Sequence, residues 1–122
     1  MGQIERLLDH GVSAERIALS HTDKTKDPGY HHAMLETGVF LCYDQGIRDP
    51  VTTTWLITQM IESGFGDQIL LGTDGARRSL WSTLGGEPGL AALYHSISQV
   101  LDAEISKALF VANPARFLTL GR

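Results

Sequence analysis

The chain has 122 residues, enough for one domain, and its apolar (43%) and charged (20%) fractions are ordinary for a globular protein. Its formal net charge of −4, without a dense block of Lys or Arg, argues against a nucleic-acid or anionic-membrane partner. No apolar run approaches the roughly 20 residues of a membrane span, and no signal peptide opens the sequence.

The only cysteine, Cys42, lies inside the apolar run 39–43 and has no second cysteine with which to form an intramolecular disulfide. We therefore expect a buried thiol that does not react. Together with the lack of a signal peptide, this cysteine usage makes the cytoplasm the expected compartment.

The first part of the chain alternates helical and strand patterns. Apolar residues at helical spacing predict a helix around residues 4–8, and a short buried strand over about 16–20 follows and ends at His21. Asp27 and Pro28 form a good N-cap and first-turn pair for the next helix.

A second strand and helix follow. The strand covers about 39–43 and ends at Asp44, and Thr52 or Thr53 is expected to cap the helix after it. Trp55 lies at helical spacing with neighbouring apolar residues, which favours a place in the core over a place in a binding site.

The third strand covers about 69–73 and ends at Asp74, and a long glycine-containing loop follows it. Helices are then expected over 90–101 and 104–111, with a short turn or helix from Pro114. The resulting order, α-β-α-β-α-β-α-α, indicates parallel strands joined by right-handed crossovers in a single domain, residues 1–122.

Each predicted strand ends in a residue that can bind a metal or carry a proton, namely His21, Asp44 or Asp74. The carboxyl ends of parallel strands lie at one edge of a sheet, so these side chains should converge there. A polar residue at a strand end is also a common helix cap or turn former. The pattern alone leaves both interpretations open, and a small flavodoxin-like domain remains a third.

Four segments resemble members of one known family. Residues 15–23 look like the sixth strand of the phosphotriesterase family within the amidohydrolase superfamily, and residues 66–78 look like its eighth strand and the loop after it. Residues 85–89 and 113–118 are also similar to family members. The pattern Asp-x-x-Arg-Arg followed by Gly-Gly-x-x-Gly is most similar to the phosphotriesterase-homology and lactonase-like branch.

The resemblance implies a (β/α)₈ TIM barrel that holds two divalent metals, usually zinc, bridged by a hydroxide that attacks a small-molecule ester, lactone or phosphotriester. His21 would bind the more exposed metal. Asp74 would bind the buried metal and act in catalysis by accepting the proton of the hydroxide. The substrate pocket would be bordered by five further residues: Asp44, Gln45, Arg77, Arg78 and Trp81.

Other features have simpler structural interpretations. One of the two arginines could pair with Glu87 to hold the loop instead of binding substrate. Among the remaining histidines, His10 suits the end of the first helix, where the helix dipole favours positive charge. His31 and His32 are expected on the surface or in helix packing, and His95 is expected to face solvent.

The sequence also departs from the family pattern. The family's first-strand His-x-His, fourth-strand lysine or glutamate and fifth-strand histidine have no counterpart, and Lys24 and Gln45 replace an acid and a histidine of the founding enzymes. A two-metal site needs five or six ligands, and three strands cannot close a barrel. We therefore expect the last three parallel βα units plus C-terminal helices, inactive alone and complemented by the missing N-terminal segment. The alternative is a non-catalytic half-barrel that self-associates and at most binds metal weakly.

Overall fold

The computed structural model describes residues 1–119, which form three strands and six α-helices in the predicted alternation. The strands are β1 (Ala18–Leu19), β2 (Phe40–Tyr43) and β3 (Ile69–Leu71). The helices are α1 (Gly2–Asp9), α2 (Pro28–Leu35), α3 (Pro50–Glu62), α4 (Ala92–Ser98), α5 (Ala103–Lys107) and α6 (Asn113–Thr119). Within these residues no helix has both the length and the apolar character needed to cross a membrane.

The three strands form one parallel sheet in the order β1-β2-β3. Each crossover helix therefore returns the chain to the adjacent strand, as successive units of a barrel require. A doubly wound sheet instead reverses its strand order at a switch point, which argues against the flavodoxin-like interpretation. Strand β1 is shorter than its predicted range, although a bond from the Phe40 amide to the Ile17 carbonyl (2.9 Å) extends its pairing with β2.

Alternate strand residues build the core on one face of the sheet. Ile17, Leu41, Tyr43 and Ile69 are buried there and belong to the same apolar cluster as residues from α1 to α4 and from the segment before α6. The helical members of that cluster are Ile4, Met34, Leu35, Leu56, Ile57, Met60, Leu93, Ile97 and Leu109. The strand ends are thus held by packing along one face of the sheet.

Both crossover helices begin with the same local signal. Asp27 caps α2 by accepting a hydrogen bond from the Gly29 amide (3.0 Å), as predicted. For α3 the predicted caps, Thr52 and Thr53, are wrong, because Asp49 accepts from the Thr52 amide (3.1 Å) and Pro50 occupies the first turn.

The prediction that Trp55 belongs to the core is also wrong, because its side chain is 44% exposed. Helix α3 buries Leu56, Ile57 and Met60 against the sheet. Trp55 precedes Ile57 by two residues, or about 200° around an α-helix, and therefore lies on the opposite side.

The C-terminal helices are shorter than predicted. The expected helix over 90–101 is α4, residues 92–98, because its last residues unwind before Asp102 caps α5. The expected helix over 104–111 is interrupted by a π-helical turn (Ala108–Ala112) that leads into α6.

Helix α6 is fastened to the sheet at the base of β3. The Asn113 side chain donates to the carbonyls of Gly66 and Ile69 (2.8 Å each). The ring of Phe117 lies 5.1 Å from that of Phe40, which points to the face of β2 opposite the main core. Through Phe117, helix α6 therefore covers part of the sheet face that a closed barrel would turn inward.

Candidate functional site

The carboxyl ends of the three strands bring the predicted polar residues to one edge of the sheet. Asp44 follows β2 directly, and His21 and Asp74 follow β1 and β3 after short extensions. Asp44 contacts His21, and the side-chain nitrogen Nε2 of Gln45 contacts Asp44 and Asp74. A continuous chain of hydrogen bonds thus runs across the three strand ends and places His21 and Asp74 on the same rim.

One close contact on this rim joins His21 to Asp44. The His21 Nδ1 atom lies 2.8 Å from Oδ1 and 2.7 Å from Oδ2 of Asp44, and the His21 backbone N–H donates to Oδ2 (3.0 Å). The Asp44 side chain is almost fully buried, whereas that of His21 is about half exposed. Asp44 therefore directs its carboxylate at His21, and its place beside a substrate pocket stays a prediction.

The Asp74 carboxylate is held by two neighbours. Arg48 Nη1 lies 2.6 Å from Asp74 Oδ2, and Arg48 Nη2 donates to the Asp74 backbone carbonyl (3.1 Å). Gln45 Nε2 donates to Asp44 Oδ1 (2.7 Å) and lies 3.5 Å from Asp74 Oδ2. Gln45 thus links the second and third strand ends.

These contacts set the charge of Asp74. Desolvation by itself raises the pKa of this carboxyl, but hydrogen bonds from Gln45 and Arg48, together with the charges of Arg48 and His21, outweigh it and lower the pKa. Asp74 is consequently an anion at neutral pH, the form in which a carboxylate binds a cation.

Sequence reasoning missed two residues of the rim, Asp23 and Arg48. Asp23 is buried and accepts hydrogen bonds from the backbone amides of Asp44 (3.1 Å) and Gln45 (2.9 Å) and from the Thr53 hydroxyl (2.8 Å). The one sequence signal for Asp23 and Arg48 is their position in the chain, because each lies within five residues after the end of a strand.

His21 and Asp74 share an unusual backbone conformation. Their φ angles are 61° and 43°, and within the described residues they are the only non-glycine residues with positive φ. The left-handed region is unfavourable for side chains with a Cβ atom, and such residues concentrate at functional sites where surrounding contacts hold them. Both predicted metal ligands therefore lie at points of local strain.

The loop after β3 places the remaining predicted residues farther out. Arg77, Arg78 and Trp81 are exposed, and the Trp81 ring N–H donates to the Gly75 carbonyl (2.5 Å). Across residues 1–119 neither arginine forms a salt bridge, so the suggested pairing with Glu87 is not found. Arg48, and neither Arg77 nor Arg78, is the arginine that contacts Asp74.

Cys42 is unsuited to nucleophilic chemistry. Burial, reinforced by the nearby carboxylates of Asp44 and Asp23, raises the pKa of its thiol to about 11. The thiol is therefore protonated at neutral pH, which agrees with the expected low reactivity, although Cys42 is only partly buried and not fully buried as expected.

The donors on the rim fit part of a metal site. Asp44 occupies Nδ1 of the His21 ring, and the other ring nitrogen, Nε2, has no hydrogen-bond partner among the described residues. An imidazole nitrogen beside a carboxylate is a common pair of zinc ligands. No cluster of three or more His, Cys, Asp or Glu side chains suited to a metal occurs in residues 1–119, so these ligands do not complete a site.

Comparison with known proteins identifies the class. The sequence profile of the phosphotriesterase family matches residues 1–118, and the chain therefore belongs to that family. A search of curated proteins returned no significant match.

Solved structures agree with this assignment. A lactonase from Listeria monocytogenes superposes with a TM-score of 0.85 and 31% identity, over 99% of this chain and 41% of the lactonase. An amidohydrolase from Mycoplasma synoviae gives 0.84 and 27%, over 94% of this chain and 37% of its own. An organophosphorus hydrolase from Deinococcus radiodurans gives 0.70 and 24%, over 95% and 41%, and supports the fold alone.

The fold is therefore a partial (β/α)₈ barrel, and the chain spans about two fifths of the length of the solved structures that it matches. The three βα units and the C-terminal helices were predicted from the sequence, and this prediction is confirmed.

Proposed function

We propose that this chain forms the C-terminal part of a metal-dependent hydrolase that cleaves ester, lactone or phosphotriester bonds. In this proposal His21 and Asp74 supply two of the metal ligands, and further βα units supply the others. The chain is inactive without those units, because two ligands fall short of the three that each catalytic zinc ion requires.

One observation carries the proposal. Within residues 1–119, the two non-glycine residues with a left-handed backbone are the two candidate ligands, and both belong to one hydrogen-bonded rim. A backbone conformation of this kind costs roughly 1–3 kcal/mol and persists when the surrounding structure enforces it. A purely structural turn at these positions would more readily use glycine, as Gly64 does after α3.

The residues would divide the chemistry between them. A bound divalent metal supplies a water of lowered pKa, which provides a nucleophile at neutral pH. His21 Nε2 and the Asp74 carboxylate would hold the metal. Asp74 would also accept the proton that the nucleophile loses, and Arg48 would keep its carboxylate ionised and oriented.

The substrate class follows from the family and from the named neighbours. Similarity to a lactonase at 31% identity over nearly the whole chain supports a lactone or related ester as substrate. Arg77, Arg78 and Trp81 lie on the loop after β3 and would form an outer wall of the pocket once the rest of the barrel encloses it.

A second candidate is a non-catalytic half-barrel that pairs with a copy of itself. Strand β1 has one neighbour in the described sheet, β2. A groove of about 400 Å³ follows β1 from Ala18 to Thr22 and is also lined by Gln3 and Tyr30. A strand of a second chain could pair along this edge, because an edge strand leaves backbone donors and acceptors unpaired.

A chimera separates these candidates. This chain would replace the matched part of the Listeria lactonase, and the chimera would be assayed for zinc content and for hydrolysis of lactones, aryl esters and a phosphotriester. We expect turnover and bound zinc in the chimera and neither in the isolated chain. Replacing His21 or Asp74 by alanine should lower kcat/KM by at least about 100-fold, the upper end of what losing an outer-shell partner costs.

The matched control is His95→Ala, which removes an exposed imidazole from α4 and should leave the turnover of the chimera unchanged. A folded chimera that binds no zinc and turns over no substrate would contradict the proposal. Stable dimers of the isolated chain, together with that result, would favour the half-barrel.

A further inference from the structure

Two buried carboxylates support the rim. Asp44 is 4% exposed and Asp23 is 3% exposed, so neither side chain is open to solvent, as a residue that binds substrate directly would be. Burying a charged group is costly unless hydrogen bonds satisfy it. Their hydrogen bonds therefore show what each carboxylate holds in place.

Asp44 accepts two kinds of hydrogen bond from His21. Its carboxylate lies within 2.8 Å of the Nδ1 atom of the ring and accepts the His21 backbone N–H at 3.0 Å. Because an ionised carboxylate can only accept, the ring must carry its proton on Nδ1 to satisfy this contact. One residue thus restrains both the ring and the left-handed backbone of His21.

Asp23 in turn fixes Asp44. Its two carboxylate oxygens accept the amides of Asp44 and Gln45 and the hydroxyl of Thr53 on α3, at 2.8–3.1 Å. These bonds connect the turn after β1 to the turn after β2 and to the first turns of α3. The position of Asp44 relative to His21 is therefore set by Asp23.

We propose that Asp44 is a positioning residue that holds His21 in the Nδ1–H tautomer and so leaves the lone pair of Nε2 available to a ligand, and that Asp23 anchors Asp44. That the ligand is a metal rests on the function proposed above. The hydrogen bond that one ring nitrogen of a histidine makes determines the state of the other, which is how outer carboxylates prepare metal-binding imidazoles.

The tautomer can be measured directly on the metal-free chain. Long-range ¹H–¹⁵N correlation spectra of uniformly ¹⁵N-labelled protein at pH 8 distinguish a protonated ring nitrogen from an unprotonated one. We expect the Nδ1–H form of His21 to exceed the Nε2–H form by roughly tenfold or more, the bias that a hydrogen bond to a charged acceptor provides. A dominant Nε2–H form in the wild-type chain would overturn the proposal.

Variants test the two carboxylates. Asp44→Ala should shift His21 toward the Nε2–H form, and Asp44→Asn, which keeps one acceptor oxygen, should shift it less. Asp23→Asn should produce a smaller shift in the same direction. The control is Asp102→Asn, which changes a capping carboxylate of α5 and should leave the His21 spectrum unchanged.

If Asp44→Ala does not fold, the wild-type spectrum and Asp44→Asn still decide the matter. A folded Asp44→Ala chain with an unaltered tautomer would contradict the positioning role.

Zinc chloride titrated into the metal-free lactonase chimera, which supplies the remaining ligands, tests the dependence on the proposed function when the His21 resonances are followed in the same spectra. We expect the His21 Nε2 resonance to respond to zinc while Nδ1 stays protonated. A response at Nδ1 in place of Nε2 would overturn the positioning role. The Nδ1–H form without any zinc response would leave Asp44 as a positioning residue and count against His21 as a metal ligand, so the two failures are distinguishable.

Discussion

His21 combines a functional side chain with an unfavourable backbone. Its φ of 61° and ψ of 19° lie in the left-handed region, which costs a residue with a Cβ atom roughly 1–2 kcal/mol. The hydrogen bond from its amide to Asp44 helps to hold this conformation. The Asp44 carboxylate, which orients the His21 ring, therefore also maintains the strained backbone of His21.

Two substitutions at His21 measure this strain. His21→Gly and His21→Ala both remove the ring, but only glycine adopts positive φ without a steric penalty. We expect the glycine variant to be more stable than the alanine variant by about 1 kcal/mol in urea denaturation, once the greater flexibility of glycine in the unfolded chain is deducted.

The same pair at His95 gives a matched control. His95 is exposed within the regular helix α4, where glycine is less favourable than alanine by about 1 kcal/mol. The order of the two variants should therefore reverse between the sites. Equal preference for alanine at both positions would contradict a left-handed His21.

At the scale of elements, His31 connects α2 to the sheet. Its ring is fully buried, with Nε2 2.7 Å from the Thr25 carbonyl and Nδ1 2.6 Å from the Tyr43 hydroxyl on β2. A carbonyl only accepts, so Nε2 donates to it and Nδ1 accepts from Tyr43. The residue is a packing histidine, one of the two roles expected for it from the sequence.

This packing predicts a loss of stability in acid. Burial lowers the pKa of His31, against smaller opposing effects of the Thr25 hydrogen bond and the charges of Asp23 and Asp27. The unfolded chain therefore binds a proton more readily than the folded chain. As the pH falls below the unfolded value of about 6.5, His31 should cost up to about 1.4 kcal/mol of unfolding free energy per pH unit, until its folded pKa is reached.

Urea denaturation between pH 7.5 and pH 5 tests this expectation. Replacing His31 by glutamine should reduce the slope of stability against pH, whatever it does to stability at pH 7.5. His10→Gln, which changes an exposed imidazole, should keep the wild-type slope. An unchanged slope in the His31 variant would show that another group accounts for the acid response.

The strand and helix order was predictable because it depends on local sequence. Short apolar runs between helices predict strands, and the Asp27–Pro28 pair predicts a helix start, each from only a few neighbouring residues. The predicted caps of α3 were wrong although Asp49 and Pro50 form the same N-cap and first-turn pair as Asp27 and Pro28. Threonine is also a favourable N-cap residue, so Thr52 and Thr53 offered a competing start for the helix. The core prediction for Trp55 was wrong because Leu56, Ile57 and Met60 define the buried face of α3. Trp55 lies at a different angle around the helix axis and therefore faces away from the core.

The rim was predictable only in part. His21, Asp44 and Asp74 were found because parallel strand ends must share an edge. Arg48 and Asp23 were missed because their roles depend on contacts between residues 21–26 positions apart in sequence. Neither residue type nor spacing indicates such a contact in advance.

At the scale of the whole molecule, the sheet has two outer strands and one central strand. β2 pairs on both sides, whereas β1 and β3 each have one partner among the described residues. Unpaired strand edges exchange their amide hydrogens readily and invite pairing with another strand. The protection of the β1 amide hydrogens against exchange therefore indicates whether another strand pairs with the free edge of β1.

Hydrogen exchange with mass spectrometry would report this protection. In the isolated chain at low concentration, we expect peptides covering β1 to exchange at least about tenfold faster than peptides covering β2. In the lactonase chimera, where an additional strand would lie beside β1, the two should become comparably protected.

The concentration dependence adds a second result. Protection of β1 that rises with concentration in the isolated chain would indicate self-association along this edge. Equal protection of β1 and β2 in a monomeric isolated chain would contradict the open edge.

The hydrogen bonds of the rim all join residues between 21 and 74, within three successive βα units. Recombination that exchanged the preceding units of such a barrel would leave this polar arrangement intact. Sequence changes in those preceding units would therefore alter the surroundings of the rim without removing any hydrogen bond within it.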